Sequence, residues 1–146
     1  MRIYLDTSVL SAYVDVRTPE RLKATREFWP LLAAHTPIVS SLTMDEVEQA
    51  ETDLAERMRA LTTGFIHITI EERMRRLANE YVRAGVVPVR YLADAIHIAA
   101  AVHSDADIII SWNFKHLVRR NTRLQVNLVN ALRGLPAIEI LSPPEL

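Results

Sequence analysis

The chain contains no cysteine. Disulfides, thiolate catalysis and cysteine-based zinc sites are therefore excluded, and the composition suits a reducing, cytoplasmic setting. Glycine is nearly as scarce, with three in 146 residues. A Walker-type site, which cradles phosphates in a glycine-rich loop, is thereby ruled out. No apolar run approaches the roughly 20 residues needed to span a bilayer. The opening Met1-Arg-Ile-Tyr-Leu-Asp6 meets a carboxylate too early to read as a signal peptide. Charge of one sign is missing too: 17 Lys and Arg face 18 Asp and Glu, for a net charge of −1. Bulk electrostatics does not mark a nucleic-acid binder, so any basic patch must be local.

What remains is an ordinary globular composition, 49% hydrophobic and 24% charged, at the length of one domain covering residues 1–146. Strand-like and helix-like segments alternate without a linker or repeat. Residues 2–6 alternate with Ile and Tyr and predict a strand, followed by a short helix over Val9–Val14. Thr18-Pro19-Glu20 supplies a cap, a first-turn Pro and an acid for a helix reaching about Ala34. Pro37 with Ile38-Val39 marks a second strand. Met44, Val47, Leu54, Met58 and Leu61 recur at helical spacing, which predicts one helix over Thr43–Leu61. A strand over Phe65–Ile68 follows Gly64. Next comes a helix over Ile70–Ala84, with Met74, Leu77 and Tyr81 on one side, ended by Gly85. Pro88 delays the next helix to about Arg90. Residues 107–111 are the strongest buried strand. A helix over Thr122–Leu132 and a strand over Ala137–Leu141 finish the chain. Five short strands with interleaved helices indicate an α/β layered fold on a parallel sheet, with strand order left open.

Four polar positions carry the functional signal: Asp6, Glu46, Asp94 and Asn113. Asp6 closes the first strand, Glu46 lies in the helix after Ile38-Val39, Asp94 falls early in an Ala-rich helix, and Asn113 follows Ile108-Ile109-Ile110. In an open parallel sheet functional groups gather beyond the carboxyl ends of the strands. Three carboxylates meeting there repel by roughly 4 kcal/mol per close pair at moderate dielectric. Raised pKa values or a divalent cation must answer that repulsion. Each residue also has a plain structural reading. Asp6-Thr7-Ser8 suits an Asx turn or N-cap, and Thr43-Met-Asp-Glu46 reads in isolation as a capping box. His97, one turn after Asp94, reads first as a hydrogen-bonded core residue. Asn113 and Ser111 suit a turn after a strand. It is the joint placement beyond different strands that favours a site.

Taken together, Tyr4-Leu5-Asp6-Thr7-Ser8-Val9-Leu10, Ser41 through Glu46, Asp94-Ala-Ile-His-Ile-Ala-Ala-Ala and Ile110-Ser111-Trp112-Asn113-Phe114-Lys115-His116-Leu117 resemble a PIN domain. They are most similar to the VapC-type ribonuclease toxins of prokaryotic toxin–antitoxin pairs. The resemblance implies a three-layer α/β/α sandwich around a small parallel sheet of about five strands. It implies that Asp6, Glu46 and Asp94 bind Mg²⁺ or Mn²⁺, with Ser8 and Ser111 in support. It also implies RNA hydrolysis leaving 5′-phosphate and 3′-hydroxyl ends, a small antitoxin partner and a homodimer, for which the apolar-and-basic helices at 20–34 or 70–84 are candidate surfaces. Family members usually carry an Asp where this chain has Asn113. An amide oxygen can still ligate Mg²⁺ or hold its water, but without charge.

Such a substrate calls for local positive charge, and Lys115, His116, Arg119, Arg120 and Arg123 follow Asn113 closely; a solvated helix face is the competing reading. Trp112 and Phe114 offer base stacking or core packing. A PIN-like module that binds RNA or protein without turnover also fits the departure at Asn113, and Mg²⁺-dependent cleavage separates the two. A haloacid-dehalogenase-type phosphatase would need a second Asp where Ser8 stands. A receiver domain would need an acidic pair near the start.

Overall fold

The computed structural model describes all residues, 1–146. Five strands form one parallel sheet in the order β3-β2-β1-β4-β5. They are β1 (Arg2–Leu5), β2 (Thr36–Ser40), β3 (Ile66–Ile68), β4 (Ile108–Ile110) and β5 (Glu139–Leu141). The register places Tyr4 beside Ile38 on one side and Ile109 on the other. The helices are α1 (Thr7–Val14), α2 (Pro19–Phe28), α3 (Ser41–Glu48), α4 (Thr52–Leu61), α5 (Glu72–Arg83), α6 (Leu92–His103) and α7 (Arg120–Leu132). Short 3₁₀ turns cover Trp29–Ala34, Val89–Tyr91 and Pro143–Glu145.

Side chains alternate across the pleat, and that alternation builds the three layers. Tyr4, Ile38, Ile109 and Ile140 point to one face, where Met74, Leu77 and Tyr81 of α5 and the Ala-rich α6 cover them. Ile3, Leu5, Val39, Ile108 and Ile110 point to the other, against Val9, Phe28, Leu32 and Trp112. The Ala run of α6 is buried throughout, from Ala95 to Val102, because small side chains let that helix lie close on the sheet. Under α7, Tyr81 Oη donates to Asn130 Oδ1 at 2.5 Å, both groups buried. Tyr81→Phe leaves that amide oxygen unpaired and should cost about 1–3 kcal/mol, seen as a drop of several degrees in Tm.

The helix expected over Thr43–Leu61 is two helices. Both α3 and α4 cover α1, sharing Leu10, Val14, Val47, Ala55 and Met58 in one cluster. A straight helix over that span would be about 28 Å long, against about 12 Å for α1. The break at Gln49–Glu51 lets both segments reach it, and neither Gly nor Pro announces it. The helix expected from Thr18 to Ala34 tightens at Trp29 into a 3₁₀ turn, and Thr18 precedes it without a side-chain cap bond. Gly85 ends α5 at φ +78°, the left-handed conformation that a C-terminal glycine supplies. Leu124, Leu128 and Leu132 stand exposed along α7 and Leu31 in the segment 20–34, while Met74, Leu77 and Tyr81 of α5 face inward.

Candidate active site at the carboxyl edge of the sheet

The chain order reverses at β1, so β1 and β4 lie side by side with their connections leaving in opposite directions. A crevice opens beyond the carboxyl ends at such a point. Asp6 leaves β1 into it and Ser111-Trp112-Asn113 leave β4 into it. The Asp6 amide still donates to the Ile110 carbonyl at 3.2 Å. Glu46 arrives on α3 after β2, and Asp94 sits in the first turn of α6, where the positive helix end favours an anion.

Asp6 is 5% exposed, and both its carboxylate oxygens accept hydrogen bonds. Oδ1 accepts from the Ser8 amide at 3.0 Å and from the Ser8 hydroxyl, and Oδ2 accepts from Ser111 Oγ at 2.6 Å. Asp6 therefore caps α1, as the turn reading expects, while also facing the crevice. Burial pushes its pKa up; the His97 charge and the two serines oppose that shift. Ser8 and Ser111 further tie the two strand ends together. Ser8 Oγ accepts from the Trp112 amide at 2.8 Å, and Ser111 Oγ accepts from the Asn113 amide at 2.9 Å.

Glu46 is not part of a capping box. The turn into α3 comes earlier, with Ser40 Oγ accepting from the Thr43 amide at 3.3 Å. That leaves Glu46 in the second turn, where Oε1 accepts from Thr7 Oγ1 at 2.7 Å and from His97 Nε2 at 2.6 Å. Burial raises the Glu46 pKa, but the His97 and Thr7 bonds outweigh it, so the carboxyl lies below its usual range. Its sequence neighbours stand apart: Asp45 is exposed, and Glu48 pairs with Arg59.

His97 is the hub that sequence reasoning underrated. It is 2% exposed, with Nδ1 2.8 Å from Tyr4 Oη, which lies 2.7 Å from Ser40 Oγ. Burial lowers its pKa; Tyr4, Glu46 and Asp6 raise it further, to a net value above the ordinary imidazole range. An imidazolium there donates from both nitrogens, to Tyr4 and to Glu46. Tyr4, Thr7 and Ser40 escaped notice because nothing distinguishes them from core and cap residues by type. The only signal was position, at the ends of two neighbouring strands.

Asp94 is half-buried. Burial raises its pKa and the Glu46 charge adds to that; the Asn113 amide and the His116 and His97 charges pull it back. Asn113 Oδ1 meanwhile accepts from the His116 amide at 2.9 Å. The four residues singled out thus occupy one edge of the sheet, and Asp6, Glu46 and Asp94 all feel the charge of His97. They do not form a closed cage. As the side chains stand, no three His, Asp or Glu groups converge on one point as ligands. Asp6 and Glu46 are instead turned toward their own hydrogen-bond donors. The donor set itself, carboxylates with one amide, is the hard-oxygen type that suits Mg²⁺, an ion commonly held by one or two carboxylates and completed by water.

The basic residues after Asn113 divide. Lys115 reaches over the Tyr91 ring and donates to its hydroxyl at 3.3 Å, Arg119 donates to the Lys115 carbonyl, and Arg120 opens α7 in solvent. His116, by contrast, is buried against Tyr91 with ring centroids 4.0 Å apart, and so is no surface contact for a nucleic acid. Arg123 is spent on Glu145 at 3.1 Å. Trp112 packs in the core and its Nε1 donates to Thr25 Oγ1 at 2.9 Å, whereas Phe114 is 47% exposed.

No protein-family model and no curated protein matches the sequence. Solved structures do share the fold. A chain of VapBC2 from Rickettsia felis, bound to a DNA fragment from their promoter, superposes with a TM-score of 0.59 at 13% identity, over 97% of this chain and 98% of that one. VapC20 from Mycobacterium tuberculosis, a sarcin–ricin loop cleaving toxin, gives a TM-score of 0.60 at 15% identity, over 78% of this chain and 92% of that one. The chain has the fold of these VapC-type structures, the three-layer α/β/α arrangement that its PIN-like motifs implied.

Proposed function

We propose that the chain is a divalent-metal-dependent endoribonuclease, the toxin of a two-protein pair. The observation that carries the reading is the gathering of Asp6, Glu46 and Asp94, from three separate segments, around one buried His97 at the β1–β4 crevice. A fold needs no such concentration of acids, since each costs desolvation. Mg²⁺ or Mn²⁺ would be held by Asp6, Glu46 and Asp94, and when bound would supply Lewis-acid stabilisation and a more acidic water.

The chain's own residues do the rest. Ser8 and Ser111 fix both Asp6 oxygens in orientation. Thr7 and His97 hold Glu46 by Oε1, which leaves Oε2 for the crevice. Asn113 sits beside Asp94, where it can orient water without adding charge. Hydrolysis by water does not call on the ribose 2′-hydroxyl, so backbone scission alone does not choose RNA over DNA. RNA is favoured by the likeness to VapC20, a toxin that cleaves the sarcin–ricin loop. The antitoxin follows from the likeness to the VapBC2 pair, and a homodimer from the PIN-like motifs.

The test is cleavage of end-labelled RNA by the purified chain. Cleavage in Mg²⁺ or Mn²⁺, lost in EDTA and leaving 3′-hydroxyl fragments, is the expected outcome. No cleavage in either metal contradicts the proposal. One observation favours a second reading, a binding module without turnover: the acids are not preassembled as a metal cage. RNA binding that is insensitive to metal, with no products, would establish it.

A further inference from the structure

Beside the Asp6 turn, reached through Ser8, lies a pocket of about 150 Å³ lined by Ser8, Ser11, Asp15, Thr18, Arg21 and Trp112. We infer that this pocket, with Phe114 at its rim, is a subsite for the nucleotide adjoining the scissile bond: Arg21 takes the phosphate and Phe114 stacks on the base. The inference rests on the nuclease reading and names a part of the substrate surface that the basic run after Asn113 does not include.

Three observations support it. First, Arg21 makes no ion pair, unlike Arg17, Arg59, Arg73, Arg83, Arg123 and Arg133. Its guanidinium lies 5.4 Å from the Trp112 ring centroid and 5.7 Å from that of Phe114. A guanidinium held against aromatic faces keeps its edge donors for a phosphate. The one acid in the lining, Asp15, is already held by Arg17 at 2.9 Å, so it does not take up the Arg21 guanidinium.

Second, the wall is built. Thr25 Oγ1 donates to the Arg21 carbonyl at 2.6 Å and accepts from Trp112 Nε1 at 2.9 Å. The Trp112 amide donates to Ser8 Oγ. Arg21, Trp112 and the Asp6 turn are therefore one connected unit, and little order must be gained on binding. Third, Ser8 belongs both to this pocket and to the Asp6 carboxylate. A phosphate lodged here lies next along the strand from one placed at Asp6. Phe114, edge-on to Trp112 at 5.9 Å, leaves ring surface open to solvent for a stacking base.

The test is fluorescence anisotropy of a labelled single-stranded RNA with the full chain in EDTA, paired with cleavage kinetics in Mg²⁺. Arg21→Gln should weaken binding roughly tenfold, flatten the log–log salt slope by about 0.7, and raise KM with kcat unchanged. Phe114→Ala should weaken binding roughly five- to hundredfold, and Phe114→Tyr should restore it. Arg76→Gln, on exposed α5 surface, is the control and should leave the slope at the parent value. If the parent binds RNA and neither Arg21→Gln nor Phe114→Ala alters affinity or slope, the subsite is overturned and the nuclease reading stands. If the parent neither binds nor cuts RNA, the nuclease reading falls and the subsite falls with it.

Discussion

Asp94→Asn is expected to cut the cleavage rate by about a thousandfold or more while leaving the fold no less stable. The substitution keeps the shape of the side chain and its place in the first turn of α6, but removes the negative charge that a divalent ion would need. The stability half follows from the sign of its shift. Burial raises the Asp94 pKa, with Glu46 adding repulsion, so at neutral pH the ionised group works against folding. Removing the charge lifts that penalty. Metal-free Asp94→Asn should therefore melt at the parent temperature or slightly above. Millimolar Mg²⁺ should raise the Tm of the parent but not of the variant. Cleavage at the parent rate would refute the role, and a Tm loss of many degrees would make Asp94 structural instead.

His97→Ala should produce a large stability loss. It deletes a buried ring, leaves Tyr4 Oη with Ser40 alone, and strips Glu46 of one of its two donors. Such a break costs about 3–5 kcal/mol, a Tm drop on the order of 10 °C. The loss should depend on pH. The raised pKa of His97 means its contribution is fully present below the unfolded value near 6.5 and fades as pH climbs through the folded value. Glu46 is lowered, so its contribution is present above its unfolded value of 4.5 and is lost as pH falls through the folded one. The gap in Tm between parent and variant, measured in EDTA, should be widest at about pH 5 to 6.5 and narrow toward alkaline pH. A gap constant from pH 5 to 10 would mean that His97 packs as a neutral ring.

The sequence made the architecture legible because burial on both faces forces an unmistakable composition. Ile108-Ile109-Ile110 and the Ala-rich α6 read directly as a central strand and a close-packed helix. Element ends were harder. The split between α3 and α4 is dictated by the length of α1, a tertiary constraint that leaves no mark between Gln49 and Glu51. The acids were legible as residues standing just past apolar runs, but their partners were not. Glu46 reads as a capping residue until Ser40 is seen to take the cap, and His97 reads as core because it is core. What its two ring nitrogens touch depends on Tyr4, 93 residues away. Repulsion among the three acids was expected to be met by raised pKa values or by a divalent cation. Within the protein itself Glu46 accepts from His97 and Thr7, and Asp6 from Ser8 and Ser111.

Whether those acids nonetheless share an ion is open to direct observation. Crystals of the chain soaked in Mn²⁺ should show an anomalous peak at the carboxyl edge of β1, within coordination distance of Asp6 and at least one of Glu46 and Asp94. A well-ordered crystal in which millimolar Mn²⁺ leaves that crevice without a peak would contradict the metal-centred account.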